Sequence, residues 1–196
     1  MLGMSARLRH LSPRTGAALV AVVVSLVMGV QASAGAAPLP TRKAWLADTV
    51  RAMKGSQAYV RQRVDAQQKG QKLAINLDID NTSIQSHYAY PKAVPVTQRF
   101  ARYATKHGVT LFFNTGRYAD QLGAISKVLT KAGYDYTRIC GRQHGESLTH
   151  SKQRCRAQFY ADGYTIIANV GNRATDFVGG DYEKGFRLPG YAGKLS

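Results

Sequence analysis

The segment Lys72-Leu-Ala-Ile-Asn-Leu-Asp-Ile-Asp-Asn-Thr82 predicts how the rest of the chain is organised. Residues 73–77 form a short apolar run rich in Leu and Ile, which is typical of a buried strand in a parallel sheet. Two carboxylates, Asp78 and Asp80, follow at once. Ligands of such sheets bind outside the carboxyl ends of the strands, so both acids lie where a site is expected.

Two acids at the end of a buried strand need an explanation. Like charges that lie close together raise each other's proton affinity, so the arrangement is unfavourable by itself. The chain has 11 Asp and Glu against 27 Lys and Arg, so acids are also scarce. A bound cation, or a division of labour between a nucleophile and a base, would account for the pair.

The first residues have the order of a secretory signal peptide. Three arginines precede an uncharged apolar run over residues 17–30, and a small-residue A-x-A site ends at Ala34. We predict a signal peptide over 1–34, cleaved after Ala34 or after Ala36 or Ala37, and hence a secreted, extracellular protein. The alternative is an uncleaved anchor, but the run is short for a membrane span and no second run of sufficient length follows.

Residues 35–40 are expected to form a linker, and 41–196 one domain with a sizeable core. Removal of residues 1–34 lowers the formal net charge from +16 to +13, because three arginines and no acid are lost. The positive charges are scattered, and no nucleic-acid-binding signature is present, so we predict no nucleic-acid partner. Attraction of a small phosphorylated substrate fits the charge at least as well.

Apolar periodicity predicts helices that alternate with strands. Helices are expected over 41–68, 95–106, 118–131 and 150–161, and strands over 73–77, 109–113, 134–139, 164–170 and 185–188. This alternation predicts an α/β sandwich with a parallel sheet.

Polar residues of an unusual kind follow three of the strands. Asp78 and Asp80 follow the first, residues 114–117 (NTGR) the second, and residues 169–176 (NVGNRATD) the fourth. These ends converge on one edge of a parallel sheet, where oxygen ligands suit Mg²⁺ and a carboxylate can attack a phosphoryl group. Lys152 lies between the second and fourth strands, at the start of a helix.

Four motifs in order resemble those of the haloacid dehalogenase superfamily. Asp78-Ile-Asp80-Asn-Thr82 resembles the D-x-D-x-T motif of its phosphatases, and Thr115, Lys152 and Gly171-Asn172…Asp176 resemble the second, third and fourth motifs. The strings LDIDNT, SKQRCR, GYTIIANVGNRATD and FRLP look most like the secreted acid phosphatases of bacteria and plants, including the vegetative storage proteins. The resemblance covers about residues 41–190 and implies a Rossmann-like three-layer sandwich with a minimal cap.

The resemblance also implies roles for these residues. Asp78 would attack phosphorus and form an aspartyl-phosphate, and Asp80 would act as general acid and then as general base. Thr115 and Lys152 would bind the phosphoryl oxygens.

The implied cofactor is Mg²⁺. Its ligands would be Asp78, the backbone carbonyl of Asp80, and one or both of Asn172 and Asp176. Asn172 stands where an aspartate is usual, an arrangement that also resembles the lipin-type phosphatidate phosphatases.

The third motif also departs from the pattern. Ser151 stands where a tyrosine usually precedes the lysine, so Arg154 and Arg156 are alternatives to Lys152. Five further residues are either pocket residues or ordinary surface residues: His87, Tyr88, Arg117, Arg142 and His144.

Two cysteines, Cys140 and Cys155, are the only ones in the chain. An oxidising compartment would permit a disulfide between them, and the alternative is two unpaired buried thiols.

The predicted function is a secreted, Mg²⁺-dependent acid phosphatase that hydrolyses phosphomonoesters. The short segment between the first two motifs predicts a small cap, an open site and broad substrate use. The alternatives are a phosphatidate-type lipid phosphatase and a non-catalytic storage or binding protein of the same fold.

Overall fold

The computed structural model describes residues 38–195, so the predicted signal peptide and residues 35–37 of the predicted linker lie outside the described residues. The elements in chain order are α1 (Arg42–Ala52), α2 (Ser56–Asp65), β1 (Lys72–Leu77), α3 (Pro95–Lys106), β2 (Thr110–Tyr118), α4 (Leu122–Lys131), β3 (Arg138–Arg142), α5 (Leu148–Ala161), β4 (Tyr164–Gly171) and β5 (Lys184–Arg187). Short 3₁₀ turns span Ala119–Gln121 and Ala174–Asp176.

The five strands form one sheet in the order β3-β2-β1-β4-β5, and every neighbouring pair is parallel. The chain leaves β1 towards β2 on one side and later returns to β4 on the other. The carboxyl ends of β1, β2 and β4 therefore border the position where open α/β sheets bind ligands. The predicted α/β class with a parallel sheet is confirmed.

Successive residues of β1 point to opposite faces of the sheet, as the pleat requires. Leu73, Ile75 and Leu77 join a buried cluster with Phe100 of α3 and other residues of α2 and α4. Ala74 joins a second cluster that contains residues of α5. Helices thus cover both faces of the sheet, and the central strand is buried on both, which explains its continuous apolar run.

Several predicted boundaries were wrong. The helix predicted over 41–68 is two helices, because the first ends at Ala52 and the chain turns before Gly55, which takes a φ of 79° and is the N-cap of the second. The third strand is Arg138–Arg142 rather than 134–139, since Tyr134 turns inward and packs its ring against Phe113. The second strand continues to Tyr118, so α4 begins only at Leu122.

Cys140 of β3 and Cys155 of α5 form a disulfide, with Cα atoms 5.8 Å apart, so the predicted pairing is confirmed. The bond ties an edge strand to the helix that carries Lys152. A loop of this length stabilises a fold by roughly 3 kcal/mol. No helix within the described part of the chain is long and apolar enough to cross a membrane.

Candidate active site

A cleft of about 330 Å³ opens at the carboxyl ends of the central strands. Its lining residues come from the segment after β1, the ends of β2 and β3, the start of α5 and the segment after β4. They are Asp78, Asp80, Ser86, Gly116, Arg117, Arg142, Leu148, Lys152 and Arg173. All but Gly116 and Leu148 are polar or charged, and four are basic, so the cleft suits an anionic ligand.

Lys152 lies at the floor of this cleft with 3% of its side chain exposed. Its Nζ is 2.5 Å from Asp78 Oδ1, 2.8 Å from Asp176 Oδ1 and 2.5 Å from the carbonyl oxygen of Asn114. The Asn114 side chain in turn donates to the Lys152 carbonyl at 2.8 Å. One ammonium therefore joins the first and fourth predicted motifs.

The burial of these charges shifts their proton affinities. Burial raises the pKa of Asp78, Lys152 opposes this effect and Asp176 adds to it, and together they raise the pKa to about 6. Burial lowers the pKa of Lys152, but Asp78 and Asp176 outweigh that effect and the pKa of the ammonium is raised. Lys152 is therefore charged at neutral pH, and it keeps Asp78 accessible as a carboxylate.

Asp78 is also fixed by its own turn. The Thr82 hydroxyl donates to Asp78 Oδ2 at 3.0 Å, and the Ser83 hydroxyl donates to the Asp78 carbonyl at 2.7 Å. The backbone N–H of Asp78 donates to the Val170 carbonyl of β4 at 2.8 Å. The D-x-D-x-T sequence thus folds back on its first acid, which holds one carboxylate in a single orientation.

Asp80 is in a different environment. Arg117 Nε and Nη2 donate to its two carboxylate oxygens at 2.9 and 2.7 Å, and the Ser86 hydroxyl donates at 2.5 Å. Burial raises the pKa of Asp80, but these hydrogen bonds outweigh it, so the pKa is lowered. The side chains of Asp80 and Arg117 are 29% and 38% exposed, so this pair meets solvent, unlike Asp78.

Thr115 is fully buried near the end of β2. Its hydroxyl accepts from the backbone N–H of Arg117 at 3.2 Å. Thr115 thereby shapes the turn that delivers Arg117 to Asp80.

The segment after β4 brings Asp176 to Lys152. Asp176 Oδ2 accepts from the Arg173 N–H at 2.9 Å, so both carboxylate oxygens are engaged. A Cβ on Gly171 would lie 2.3 Å from Asp176 Oδ2, which explains why glycine precedes the loop.

Asn172 is 2% exposed and faces the C-terminal residues of the described chain. Its Nδ2 donates to the Leu195 carbonyl at 2.7 Å. Its Oδ1 is buried, and no donor among residues 38–195 satisfies it. A buried acceptor of this kind is the oxygen that a cation would satisfy.

The two alternatives to Lys152 have other partners. Arg154 binds Glu146 and the Gly141 carbonyl. Arg156 is fully buried and donates to backbone carbonyls of the segment after β4, including that of Asp176 at 2.9 Å. Both therefore position backbone around the cleft, and Lys152 is the basic residue of α5 that reaches Asp78.

Of the five further pocket candidates, Arg117 and Arg142 line the cleft. Tyr88 instead stacks on Trp45, with His87 packed edge-on against it, and His144 stacks on Tyr118. Sequence reasoning missed Ser86 and Arg173. Arg173 directly follows Asn172 in the fourth motif, which could have singled it out, whereas no sequence signal marks Ser86.

Comparison with known proteins fits this geometry. Residues 89–193 match the family model of the haloacid dehalogenase (HAD) superfamily, subfamily IIIB (acid phosphatase), which is more than half of the chain. The chain belongs to this acid phosphatase family. The predicted family and enzyme class are confirmed, and the protein is a phosphatase.

A solved structure shares the fold of this acid phosphatase. It is the class C acid phosphatase from Bacillus anthracis with tungstate bound, with a TM-score of 0.61 and 19% sequence identity. The match covers 76% of the present chain and 79% of the other. No curated protein matches the chain.

Members of the superfamily generally use a divalent metal ion. Within residues 38–195, no three acidic, His or Cys side chains converge to form a ready metal site. The oxygens that fit a hard cation are the Asp78 and Asp176 carboxylates and the unsatisfied Asn172 Oδ1. Both carboxylates already have protein partners, since Lys152 bridges them while Thr82 donates to Asp78 and the Arg173 N–H to Asp176.

Lys152→Met removes the cation that bridges Asp78 and Asp176. Two buried carboxylates then lose their partner, and removing one member of a buried ion pair costs about 3–5 kcal/mol. We expect the free energy of unfolding in urea at pH 7 to fall by about that amount.

Arg61→Met is the matched control, because its pair with Asp65 is exposed. Loss of such a pair changes stability by at most about 1 kcal/mol. Equal effects of the two substitutions would contradict the assigned role of Lys152.

Proposed function

We propose that this acid phosphatase is a secreted, Mg²⁺-dependent enzyme that hydrolyses phosphomonoesters through an aspartyl-phosphate on Asp78. The observation that carries the proposal is the asymmetry of the two acids. Asp78 is buried and oriented by Lys152 and Thr82, while Asp80 is more exposed and held by Arg117. A carboxylate held in one orientation by a buried ammonium suits a nucleophile, and a carboxylate that meets solvent suits a group that exchanges protons with the leaving alcohol and with water.

In the first half-reaction, one Asp78 oxygen attacks phosphorus and the bond to the leaving alcohol breaks. Asp80 gives its proton to that alcohol oxygen. In the second half-reaction, Asp80 takes a proton from water, whose oxygen attacks phosphorus, and the Asp78 carboxylate is released with inorganic phosphate. General acid–base help of this kind contributes about 10²–10⁴-fold.

The basic residues of the cleft would bind the phosphoryl group. Lys152 offsets the negative charge that gathers around Asp78 in the transition state, and Arg117 and Arg173 supply further N–H donors at the cleft. Thr115 would act indirectly, because its hydroxyl accepts from the Arg117 N–H and so shapes the turn that brings Arg117 to Asp80. The resemblance instead implies that this hydroxyl binds the phosphoryl oxygens.

Mg²⁺, held by Asp78, the Asp80 carbonyl and Asn172, would neutralise charge on the phosphoryl oxygens and align the group for in-line attack. Asp176 then acts mainly as the partner that fixes Lys152. The amide of Asn172 contributes no charge, so we expect weaker Mg²⁺ binding than a carboxylate would give.

A lipid phosphatase and a non-catalytic binding protein are the rival functions. The cleft is lined mainly by charged residues, with Leu148 as its only large apolar one, which favours a soluble ester over a lipid. Both predicted catalytic acids are present, which favours an enzyme over a storage protein.

Asp78→Asn should abolish hydrolysis of p-nitrophenyl phosphate in Mg²⁺, because an amide cannot form the phosphoenzyme. Wild type should lose activity in EDTA and regain it on addition of Mg²⁺. A panel of soluble phosphomonoesters and phosphatidate, assayed by phosphate release, should show turnover of the soluble esters.

The matched control is Asp65→Asn, a surface substitution that should leave turnover unchanged. Full activity of Asp78→Asn would refute the nucleophile. Turnover of phosphatidate alone would favour the lipid phosphatase, and phosphate binding without any turnover would favour the binding protein.

Arg117→Gln should shift the pH profile of the enzyme. Arg117 lowers the pKa of Asp80, so its loss raises that pKa and keeps Asp80 protonated to higher pH. The basic limb of the pH profile of kcat/KM should therefore move to higher pH. The substrate is an alkyl phosphate, because its poor leaving group needs the proton from Asp80.

Arg142→Gln is the control, since Arg142 lines the same cleft but donates to the Glu146 carbonyl. It should leave the limb in place even if it weakens binding. If the basic limb of kcat/KM lay at the same pH in wild type and in Arg117→Gln, the result would contradict Asp80 as the proton donor.

We infer export from the predicted signal peptide over 1–34. The mature protein would then consist of the linker over 35–40 and the domain over 41–196. The disulfide supports an oxidising compartment. Mass spectrometry of protein from the culture medium should give a mature chain that begins at Gly35. Protein retained in the cytoplasm with residues 1–34 intact would contradict export.

A further inference from the structure

A second cavity, of about 350 Å³, adjoins the catalytic cleft. It lies between the segment after β4 and the C-terminal residues of the described chain, and we call it the tail cavity. Residues 172–175, Arg187 and residues 190–193 line it. Arg173 lines both the tail cavity and the catalytic cleft, so the two spaces share one residue.

The tail cavity is basic and has no acid in its lining. Arg173 and Arg187 form no ion pair with any carboxylate within residues 38–195. Lys152 and Arg117, by contrast, are paired with Asp176 and Asp80. Two arginines without a carboxylate partner among residues 38–195 thus line a space beside the catalytic cleft, and guanidinium groups bind phosphate by paired N–H donors.

One further donor in the lining of the tail cavity also lacks a hydrogen-bond partner. The Thr175 hydroxyl is buried without a hydrogen-bond partner among the described residues.

Tyr191 and Ala192 hold φ values of 46° and 55°, which non-glycine residues rarely adopt. Strain of this kind persists where surrounding structure enforces it, and it is found at ligand-binding segments.

The C-terminal residues that line the tail cavity pack closely against the fourth motif. A Cβ on Gly190 would lie 2.3 Å from the Asn172 carbonyl oxygen, so the tail approaches the fourth motif at backbone distance. The Asn172 side chain donates to the Leu195 carbonyl, and Leu195 is 1% exposed. The tail cavity is therefore a formed feature of the fold beside the proposed metal ligand Asn172.

We propose that the tail cavity binds a second phosphate group of the substrate, so that the preferred substrates are phosphomonoesters whose alcohol carries another phosphate. This inference rests on the proposed function, because it extends the same reaction to a substrate class. Two positive charges and a hydroxyl match a dianion better than they match a neutral sugar or base. Arg173 contacts both spaces, which favours one bisphosphorylated molecule over a separate phosphate ion.

The test compares adenosine 3′,5′-bisphosphate with adenosine 5′-monophosphate, assayed by phosphate release in Mg²⁺. Wild type should show a kcat/KM at least about tenfold higher for the bisphosphate, since hydrogen bonds to charged groups are among the stronger ones in proteins. Arg187→Gln should remove this preference while leaving turnover of the monophosphate unchanged. Arg187 is exposed and lies outside the catalytic cleft, so the variant should fold normally, which circular dichroism checks.

Arg61→Gln, which removes the same charge from α2, should keep the preference. Loss of the preference in both variants would show an effect of overall charge and would overturn the proposal. Equal kcat/KM for the two substrates in wild type would also overturn it, while leaving the proposed phosphatase function intact. Inhibition by inorganic phosphate that Arg187→Gln relieves, without any bisphosphate preference, would assign the cavity to a free ion and overturn it as well.

A binding measurement separates this inference from the catalytic mechanism. Calorimetric titration of Asp78→Asn should give at least about tenfold tighter binding of the bisphosphate than of the monophosphate. That result would support the second site even if wild type hydrolysed neither compound. Equal affinities would overturn it whatever the turnover.

Discussion

The ammonium of Lys152 is the group on which the catalytic site depends. It lies in the interior between Asp78 and Asp176, and the Asn114 carbonyl completes its contacts. Burial raises the pKa of Asp78, and Lys152 opposes that shift, so the ammonium favours the carboxylate form of this acid. A single cation thus joins strands β1, β2 and β4 to helix α5. The disulfide from α5 to β3 further ties down the helix that carries this cation.

This constraint explains why the two acids of the first motif can differ. Lys152 compensates Asp78 in the interior, whereas Arg117 compensates Asp80 closer to solvent. One acid is left as an oriented carboxylate and the other as a group that can exchange protons with water. The side-chain oxygen of Asn172 is buried and has no hydrogen-bond partner among residues 38–195, and on this ground we propose it as a ligand of the cation.

The sequence was sufficient to predict the fold class and the gathering of motifs, because both follow from strand periodicity and from the geometry of parallel sheets. Lys152 contacts both Asp78 and Asp176, so the prediction that the motifs lie close together is confirmed. The catalytic roles of these residues stay predictions. The break at Gly55 and the late start of β3 at Arg138 were not predicted, since they depend on backbone conformation and on the packing of Tyr134. The Arg117–Asp80 pair and the Asn172–Leu195 bond join residues far apart in the chain, and no local pattern reveals such contacts.

Trapping of the covalent intermediate tests the central claim most directly. Wild type mixed with radiolabelled phosphomonoester and quenched in acid should yield one labelled tryptic peptide, residues 73–92, which contains Asp78. The label should be released by hydroxylamine, as an acyl phosphate requires, and should be absent from Asp78→Asn. A hydroxylamine-stable label, a label on another peptide, or rapid turnover without any trapped label would contradict Asp78 as the nucleophile.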